Sequence, residues 1–424
     1  MSAPQLVSWN LTRRCNLACG HCYLDAVQRK SEAPGELSTE AALRVIDEIA
    51  EAAPGAMLVL TGGEPLLRAD LVGLVARAAA VGLMPVIGTN GVLLDDDRAR
   101  QLVQAGAAGV GVSLDSAAPG FHDRLRGRSG AWRGALTGMR AARAAGLAVQ
   151  VQATLLADNR HELAGIAEVA QQAGALALNF FFLVCTGRGV TQTDMPQHLY
   201  ERTLAQILEL QRARPQLIIR ARCAPYARRL LGLRAGEARD GYEAWSSACL
   251  AGREYLRVTP QGRVTPCPYI PEVAGDLNSE RLAVIWNTSE VFGRLRNGTP
   301  AGKCGECDYR YSCGGCRARA AAGSGNLLGE DPKCTYVKPA TAQPEPLPPV
   351  AEAGRGIEWE PAAGAMLERI PAFVRKRVRA AVETKACAAG LATVTVEFLR
   401  LQRPARAASA WLPPERRRAP IVRE

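Results

Sequence analysis

Over residues 6–190 the chain alternates between two hydrophobic periods. Short apolar runs recur: "MLVLTGG" (57–63), "LMPVIGTN" (83–90), "GVGVSLD" (109–115), "LAVQVQATLL" (147–156) and "LALNFFFLV" (176–184). An earlier run, "LVSWNLT", opens the series. Runs of this length read as buried parallel strands. Between them lie segments of helical period: "TEAALRVIDEIAEA" (39–52), "ADLVGLVARAAAVG" (69–82), "RARQLVQAG" (98–106), "WRGALTGMRAARAAG" (132–146) and "ELAGIAEVAQQAG" (162–174). Strand–helix repetition predicts right-handed βαβ units, hence a doubly wound sheet or a full or partial β/α barrel. In either, functional loops lie at the carboxyl ends of the strands.

Residues 196–213 predict one more helix. From about 223 to 337 the periodicity fades and cysteines accumulate, so metal is expected there in place of an apolar core. The expected divisions are a core over 1–215, a cysteine-rich unit over 216–337, a Pro/Ala-rich linker over 338–356, a small helical unit over 357–403 and a basic disordered tail over 404–424.

Composition sharpens this. The 424 residues contain 13 cysteines. The N-terminus lacks a basic-then-apolar signal pattern, and no apolar run reaches the roughly 20 residues of a membrane span. A cytoplasmic location follows as the expectation, where thiols stay reduced and so many of them argue for metal. The net charge of +11 suits an anionic partner: nucleic acid, anionic lipid or a polycarboxylate. An Arg-rich genome explains it equally well, and neither nucleic acid nor membrane is the expected partner.

"CNLACGHC" places Cys15, Cys19 and Cys22 after the first strand. Three thiolates on one loop can each hold one iron of a 4Fe–4S cube and leave the fourth iron open. Zinc is the alternative, with His21 as a fourth ligand, but His21 adjoins Cys22 and joint tetrahedral ligation is awkward.

This C-x3-C-x2-C pattern, with Tyr23 after it, resembles that of radical SAM enzymes. The resemblance implies a partial (β/α)6 TIM-like barrel. It also implies S-adenosylmethionine chelated at the open iron and cleaved reductively to a 5′-deoxyadenosyl radical. A reduced flavodoxin- or ferredoxin-type electron donor is implied too. "TGGEP" resembles the family's GGE motif, so Gly62 and Gly63 would let backbone approach the methionine moiety, Glu64 would pair with its ammonium, and Pro65 belongs to the same cofactor-binding motif. Asn90 in "GTNG", and Ser113 and Asp115 in "VSLDS", take the place of ribose-facing residues, although Asp115 also suits a helix cap. Arg188 in "CTGRG" is expected at the SAM carboxylate, at a substrate acid group, or in a plain turn. For "FHDRLRG" (121–127) the default is a surface salt-bridge loop.

The second cysteine field resembles the SPASM extension of radical SAM maturases, which carries auxiliary iron–sulfur clusters. Its last double-cysteine gap departs from the usual pattern, "CGGC" having two residues where three are usual. Carried across, the family's interleaving assigns Cys304, Cys307, Cys313 and Cys334 to one cluster. The other takes Cys249, Cys267 and Cys316, with Cys223 as its candidate fourth ligand. Structural zinc on the two C-x2-C knuckles stays open. Cys185 and Cys387 fit no cluster and read as buried thiols.

Residues 357–403 carry an apolar stripe at helical spacing: Leu367, Ile370, Val374, Val378 and Val382. Gly390 is expected to end one helix, and "ATVTVEFL" to open another capped by Thr393 or Thr395. Trp359, "LERIPAFVRKRVR", Glu383 and the stretch from Gly390 to Glu397 resemble the C-terminal domain of the B subunit of protochlorophyllide reductase. A generic docking unit is the alternative. Arg375, Lys376, Arg377 and Arg379 suit propionate or acetate groups, or a solvated face. "WNLTRRCNL" and "CGGCRARA" are similar to stretches of the heme d1 biosynthesis maturase, which implies a tetrapyrrole substrate and propionate removal or oxidation. The second reading is a maturase acting on a ribosomal peptide. The third, a non-catalytic scaffold, conflicts with the intact C-x3-C-x2-C and GGEP.

Overall fold

The computed structural model describes residues 3–29, 31, 33–233, 248–346, 357–368, 378–379, 382–383, 386 and 389–401. Its frame is a sheet in which strands β1 (Leu6–Asn10), β2 (Met57–Thr61), β3 (Met84–Thr89), β4 (Gly109–Ser113), β5 (Ala148–Leu155), β6 (Ala177–Phe182) and β7 (Ile218–Arg222) lie side by side in chain order, all parallel. The sequence predicts the first six. Strand β8 (Tyr255–Val258) pairs parallel with β1, on the far side from β2, and β9 (Arg263–Thr265) and β10 (Gly275–Asp276) continue antiparallel beyond it. The sheet therefore does not end at residue 215; the cysteine-rich segment supplies its other edge.

Helices α1 (Thr39–Ala52), α2 (Leu71–Ala80), α3 (Asp96–Gln104), α4 (Pro119–Arg126), α5 (Ala131–Ala144), α6 (Leu163–Gln172) and α7 (Gln197–Ala213) fill the crossovers. Their starts follow local chemistry. Ser38 Oγ accepts the Ala41 N–H at the head of α1, and Asp95 accepts the Arg98 N–H at the head of α3. Gly127, at φ +65°, ends α4 in the left-handed conformation that glycine adopts without strain.

One strand face packs on these helices. Val7, Trp9, Leu58, Leu60, Ile87, Val110, Val112, Val149, Val151, Leu178, Phe180 and Ile219 join Ile46, Ile49, Leu74 and Leu102 in one buried core. Val258, Val264, Ile285, Phe292 and Leu295 belong to the same core. The expectation that the cysteine-rich segment lacks an apolar core is thus corrected: it extends the main one.

The other face is mixed. Met57, Met84, Val86 and Ala108 make an apolar patch toward the amino ends of the strands. Toward the carboxyl ends the register aligns Ser113, Gln152, Asn179 and Arg220 across four neighbouring strands, with Arg222 one pleat further along β7. The alternation "QVQ" in β5 and "RAR" in β7 is the period-2 signature of a strand with one polar face.

The expected linker is docked at its start. Glu345 is buried and accepts hydrogen bonds from the Tyr311 and Ser312 N–H groups, both at 2.8 Å. At the C-terminus Glu358–Trp359 and Thr393–Val394 pair as short parallel strands, where the sequence predicts a helix over the second. Thr395 caps the following helix, Val396–Leu401, by accepting from Phe398 N at 3.2 Å. Leu367 and Val382 are buried; Ile370, Val374, Arg375, Lys376, Arg377 and Cys387 lie outside the described residues, as does the tail. Among the described residues no helix is long and apolar enough to cross a membrane.

Candidate functional site

The loop after β1 carries Cys15, Cys19 and Cys22, and the carboxyl ends of four other strands hold it. From β2, Gly63 N donates to Thr12 O at 2.7 Å and Glu64 N to Arg14 O at 2.8 Å. A Cβ on Gly63 would lie 2.2 Å from Arg14 O, and one on Gly62 (φ +140°) 2.6 Å from Thr12 O. The two glycines are needed here for backbone to meet the cysteine loop. From β3, Asn90 Nδ2 donates to Asn16 Oδ1 at 2.7 Å. From the β4 crossover, the Arg126 and Leu125 carbonyls accept from Ala18 N and Gly20 N. From the β6 loop, Arg188 donates through Nε to Cys19 O at 2.9 Å and through Nη2 to Ala26 O at 3.0 Å.

Several residues expected at the ligand also hold partners within the protein. Asp115 is fully buried and its carboxylate is taken by the protein: Oδ2 accepts from Arg126 Nε at 2.6 Å and Oδ1 from Thr154 N at 2.9 Å. Burial would raise its pKa, but the Arg126 guanidinium overrides that and holds it at about 2. Asn90 Nδ2 donates to Asn16 and its Oδ1 accepts from Val92 N, while its backbone N–H donates to Glu64. Arg188 holds loop carbonyls. Ser113 remains half-buried on the polar face. Pro65 starts a short 3-10 turn and is buried.

Glu64 is completely buried. Its Oε1 accepts from Thr89 Oγ1 at 2.8 Å and Leu66 N at 3.1 Å, and its Oε2 from Asn90 N at 2.9 Å. Desolvation outweighs these bonds and raises its pKa to about 7.

"FHDRLRG" is no surface loop. His122 and Arg126 are buried, His122 Nδ1 accepts from Asp115 N at 3.1 Å, and Arg126 Nη1 reaches Cys19 Sγ at 3.8 Å. Sequence reading missed this pair; His and Arg at positions i and i+4 of one short helix, after a strand-end Asp, was the available signal.

All twelve described cysteines are free thiols. Cys19 and Cys22 pack with Cys15 in one small cluster with Leu17, Leu24, Ala26 and Ala131. Burial pushes the Cys15 thiol up to about 12, which makes the empty thiolate costly and a bound cation its natural partner. Among the described residues no three His, Cys, Asp or Glu side chains close on one metal ion; a cube instead takes each thiolate on a different iron. The donor set fits such a cluster.

The remaining cysteines fall into two quartets by mutual electrostatic influence. Cys223 feels Cys316 and Cys249, and Cys267 feels Cys223, Cys249 and Cys316. Cys313 feels Cys334, Cys304 and Cys307, and these four line one small cavity with Tyr226, Arg229, Tyr309 and Tyr336. Eight buried or half-buried thiols in two groups of four match, in donor number, two clusters that are each held by four cysteines. Cys185 stands apart, packed near Leu125, Leu156 and Leu183. Tyr23, beside Cys22, accepts from Asn10 Nδ2 at 3.0 Å, and its ring meets that of Tyr269 edge-on at 5.3 Å.

The family model of the radical SAM superfamily matches residues 9–170, and that of the SPASM iron–sulfur cluster-binding domain matches 249–308. An AdoMet-dependent heme synthase of Methanosarcina barkeri is 37% identical over 343 residues, covering 79% of this chain and 97% of that one. This chain belongs to the radical SAM superfamily. A pre-heme d1 synthase of Dinoroseobacter shibae is 30% identical (78% and 85% covered), and a mycofactocin maturase of Mycobacterium tuberculosis 32% identical (84% and 90% covered). Streptococcus suis SuiB, solved bound to precursor peptide SuiA, shares the fold at TM-score 0.64 and 15% identity, over 79% of this chain and 77% of that one. The family model of the proto-chlorophyllide reductase 57 kD subunit matches residues 359–403. The protein is thus a radical SAM enzyme of mixed α/β fold with a SPASM extension, using S-adenosylmethionine and 4Fe–4S clusters.

Proposed function

We propose that this radical SAM enzyme modifies a carboxylate-bearing side chain of an iron tetrapyrrole during the formation of a heme-type cofactor. The observation that carries the reading is the 37% identity along nearly the whole length of an AdoMet-dependent heme synthase. That likeness exceeds the likeness to the pre-heme d1 synthase, so heme formation is preferred over the heme d1 branch. The match of residues 359–403 to a protochlorophyllide reductase subunit points to the same substrate class.

Cys15, Cys19 and Cys22 would hold a 4Fe–4S cluster which, with SAM bound, would supply radical chemistry for hydrogen abstraction from the substrate. The chain's own residues do the rest. Gly63, Asn90, Arg126 and Arg188 hold the cysteine loop rigid against four strand ends. The polar sheet face that carries Gln152 and Asn179 suits an oxygen-rich substrate. Cys304, Cys307, Cys313 and Cys334, and Cys223, Cys249, Cys267 and Cys316, hold the auxiliary clusters. A reduced flavodoxin- or ferredoxin-type protein delivers the starting electron.

The test reconstitutes the chain anaerobically with iron and sulfide, then adds SAM, dithionite and didecarboxysiroheme. Side-chain mass loss from the tetrapyrrole together with 5′-deoxyadenosine, both abolished in Cys15→Ala, is expected. Deoxyadenosine at one slow rate with and without the tetrapyrrole, and no mass change, overturns the substrate assignment and favours peptide maturation, the reading that the mycofactocin maturase likeness supports.

A further inference from the structure

Cys223 follows directly on β7 with φ +56°, the left-handed region that residues other than glycine rarely occupy. Such a conformation persists only where the surroundings over-determine it. Here the surroundings are specific. The Cys223 carbonyl accepts from Arg319 Nη1 at 2.6 Å and from Tyr200 Oη at 2.9 Å. Arg319 is fixed in turn by Asp331, through Nε to Oδ1 at 3.1 Å and Nη2 to Oδ2 at 2.9 Å. Asp331 Oδ2 also accepts the backbone N–H of Cys316 at 2.7 Å. One buried ion pair therefore grips the main chain at two cysteines of the same quartet that lie far apart in sequence. Arg319 and Asp331 are 5% and 0% exposed, and the guanidinium sits 4.8 Å from the centre of the Tyr200 ring.

A buried ion pair is weak evidence for stability as such, since apolar replacements often do as well. Its bonds to the carbonyl of one cysteine and the amide of another are what an apolar pair cannot reproduce. The charge also matters, because Arg319 acts electrostatically on both the Cys223 and the Cys316 thiolates.

We propose that Arg319 and Asp331 are the positioning pair of the Cys223 quartet, and that the Arg319 guanidinium raises the reduction potential of the auxiliary cluster held there. This rests on the ligand reading above. A buried positive charge favours the state with one more electron, so its removal lowers the potential of that cluster and leaves the cluster on Cys15, Cys19 and Cys22 where it was.

The test uses the full chain reconstituted anaerobically with iron and sulfide, in wild type, Arg319→Gln, Arg319→Lys and Cys223→Ala. Iron and sulfide content are measured, and each cluster is titrated by EPR-monitored potentiometry. In Arg319→Gln one auxiliary signal is expected to move to lower potential, or to be lost alone with about four irons, while the SAM-binding cluster keeps its signal and potential. Arg319→Lys keeps the charge and is expected to keep the potential nearer wild type. Full iron and unmoved potentials in Arg319→Gln overturn the proposal. If Arg319→Gln loses every cluster, Arg319→Lys decides: all clusters kept, with the auxiliary potential near wild type, supports the proposal, and loss of every cluster here too overturns it. Cys223→Ala separates the two levels. If it keeps every signal and all its iron, the ligand assignment fails and the proposal with it. If it loses one cluster while both Arg319 variants behave as wild type, only the present inference fails.

Discussion

Gly63→Ala is the sharpest perturbation of the cysteine loop. The added methyl would lie 2.2 Å from Arg14 O and 2.7 Å from Arg14 C, both backbone atoms, so no side-chain rotation relieves the overlap. The strand end and the loop must part. Parting them weakens the bonds from Gly63 N to Thr12 O (2.7 Å) and from Glu64 N to Arg14 O (2.8 Å). Overpacking costs about 1–3 kcal/mol, and two weakened hydrogen bonds add about 1 kcal/mol each. The sum, roughly 3–5 kcal/mol, is a large share of the ~5–15 kcal/mol that holds a typical domain folded. The expected outcome is a urea midpoint well below wild type and loss of about four irons after reconstitution. Gly73→Ala is the control: it lies within α2 with nothing within 4 Å of its Cβ, and it should gain about 0.5–1 kcal/mol. A Gly63→Ala protein with wild-type midpoint and full iron would refute the claim that this glycine exists for backbone approach.

Glu64 predicts a pH dependence of the cluster-free chain. Its folded pKa, about 7, lies above the ordinary value of 4.5, so the folded state binds more protons between these values. Its contribution is therefore fully present below about pH 4.5 and is lost as the pH rises through about 7. Glu64→Gln should flatten the urea midpoint between about pH 5 and 8 relative to wild type; an unchanged slope contradicts the burial argument. Arg126→Gln leaves the Asp115 carboxylate buried without its cation, at a cost of about 3–5 kcal/mol. It should be more destabilising than the double variant with Asp115→Asn, a cycle read by denaturant unfolding, and simple additivity would count against the pair. Arg188→Ala removes two donors to loop carbonyls and should lower stability by about 2 kcal/mol. A change that appears only in SAM affinity, with stability intact, would assign Arg188 to ligand binding and not to holding the loop.

Much of this protein was legible before any coordinates. Hydrophobic period is a local property, and it marks β1 to β6 and their helices because a parallel strand buried on its helix side must be apolar there. Three cysteines within eight residues also declare their chemistry locally, since one tight loop can hold three thiolates toward one cluster. What stayed hidden depends on partners distant in sequence. Strand β8 is short and enters the sheet beside β1, so no local period announces it. Asp115, Asn90 and Arg188 have side chains that suit a ligand as well as a neighbour, and the neighbours they hold come from distant parts of the chain. Gly63 does not announce in sequence what approaches it; the fold sets the Arg14 carbonyl 2.2 Å from where a Cβ would lie. Sequence alone determined the kind of chemistry, because thiol spacing and hydrophobic period are local. Tertiary structure decided which residues stabilise the site, because a buried polar group is satisfied only by whatever the fold brings beside it.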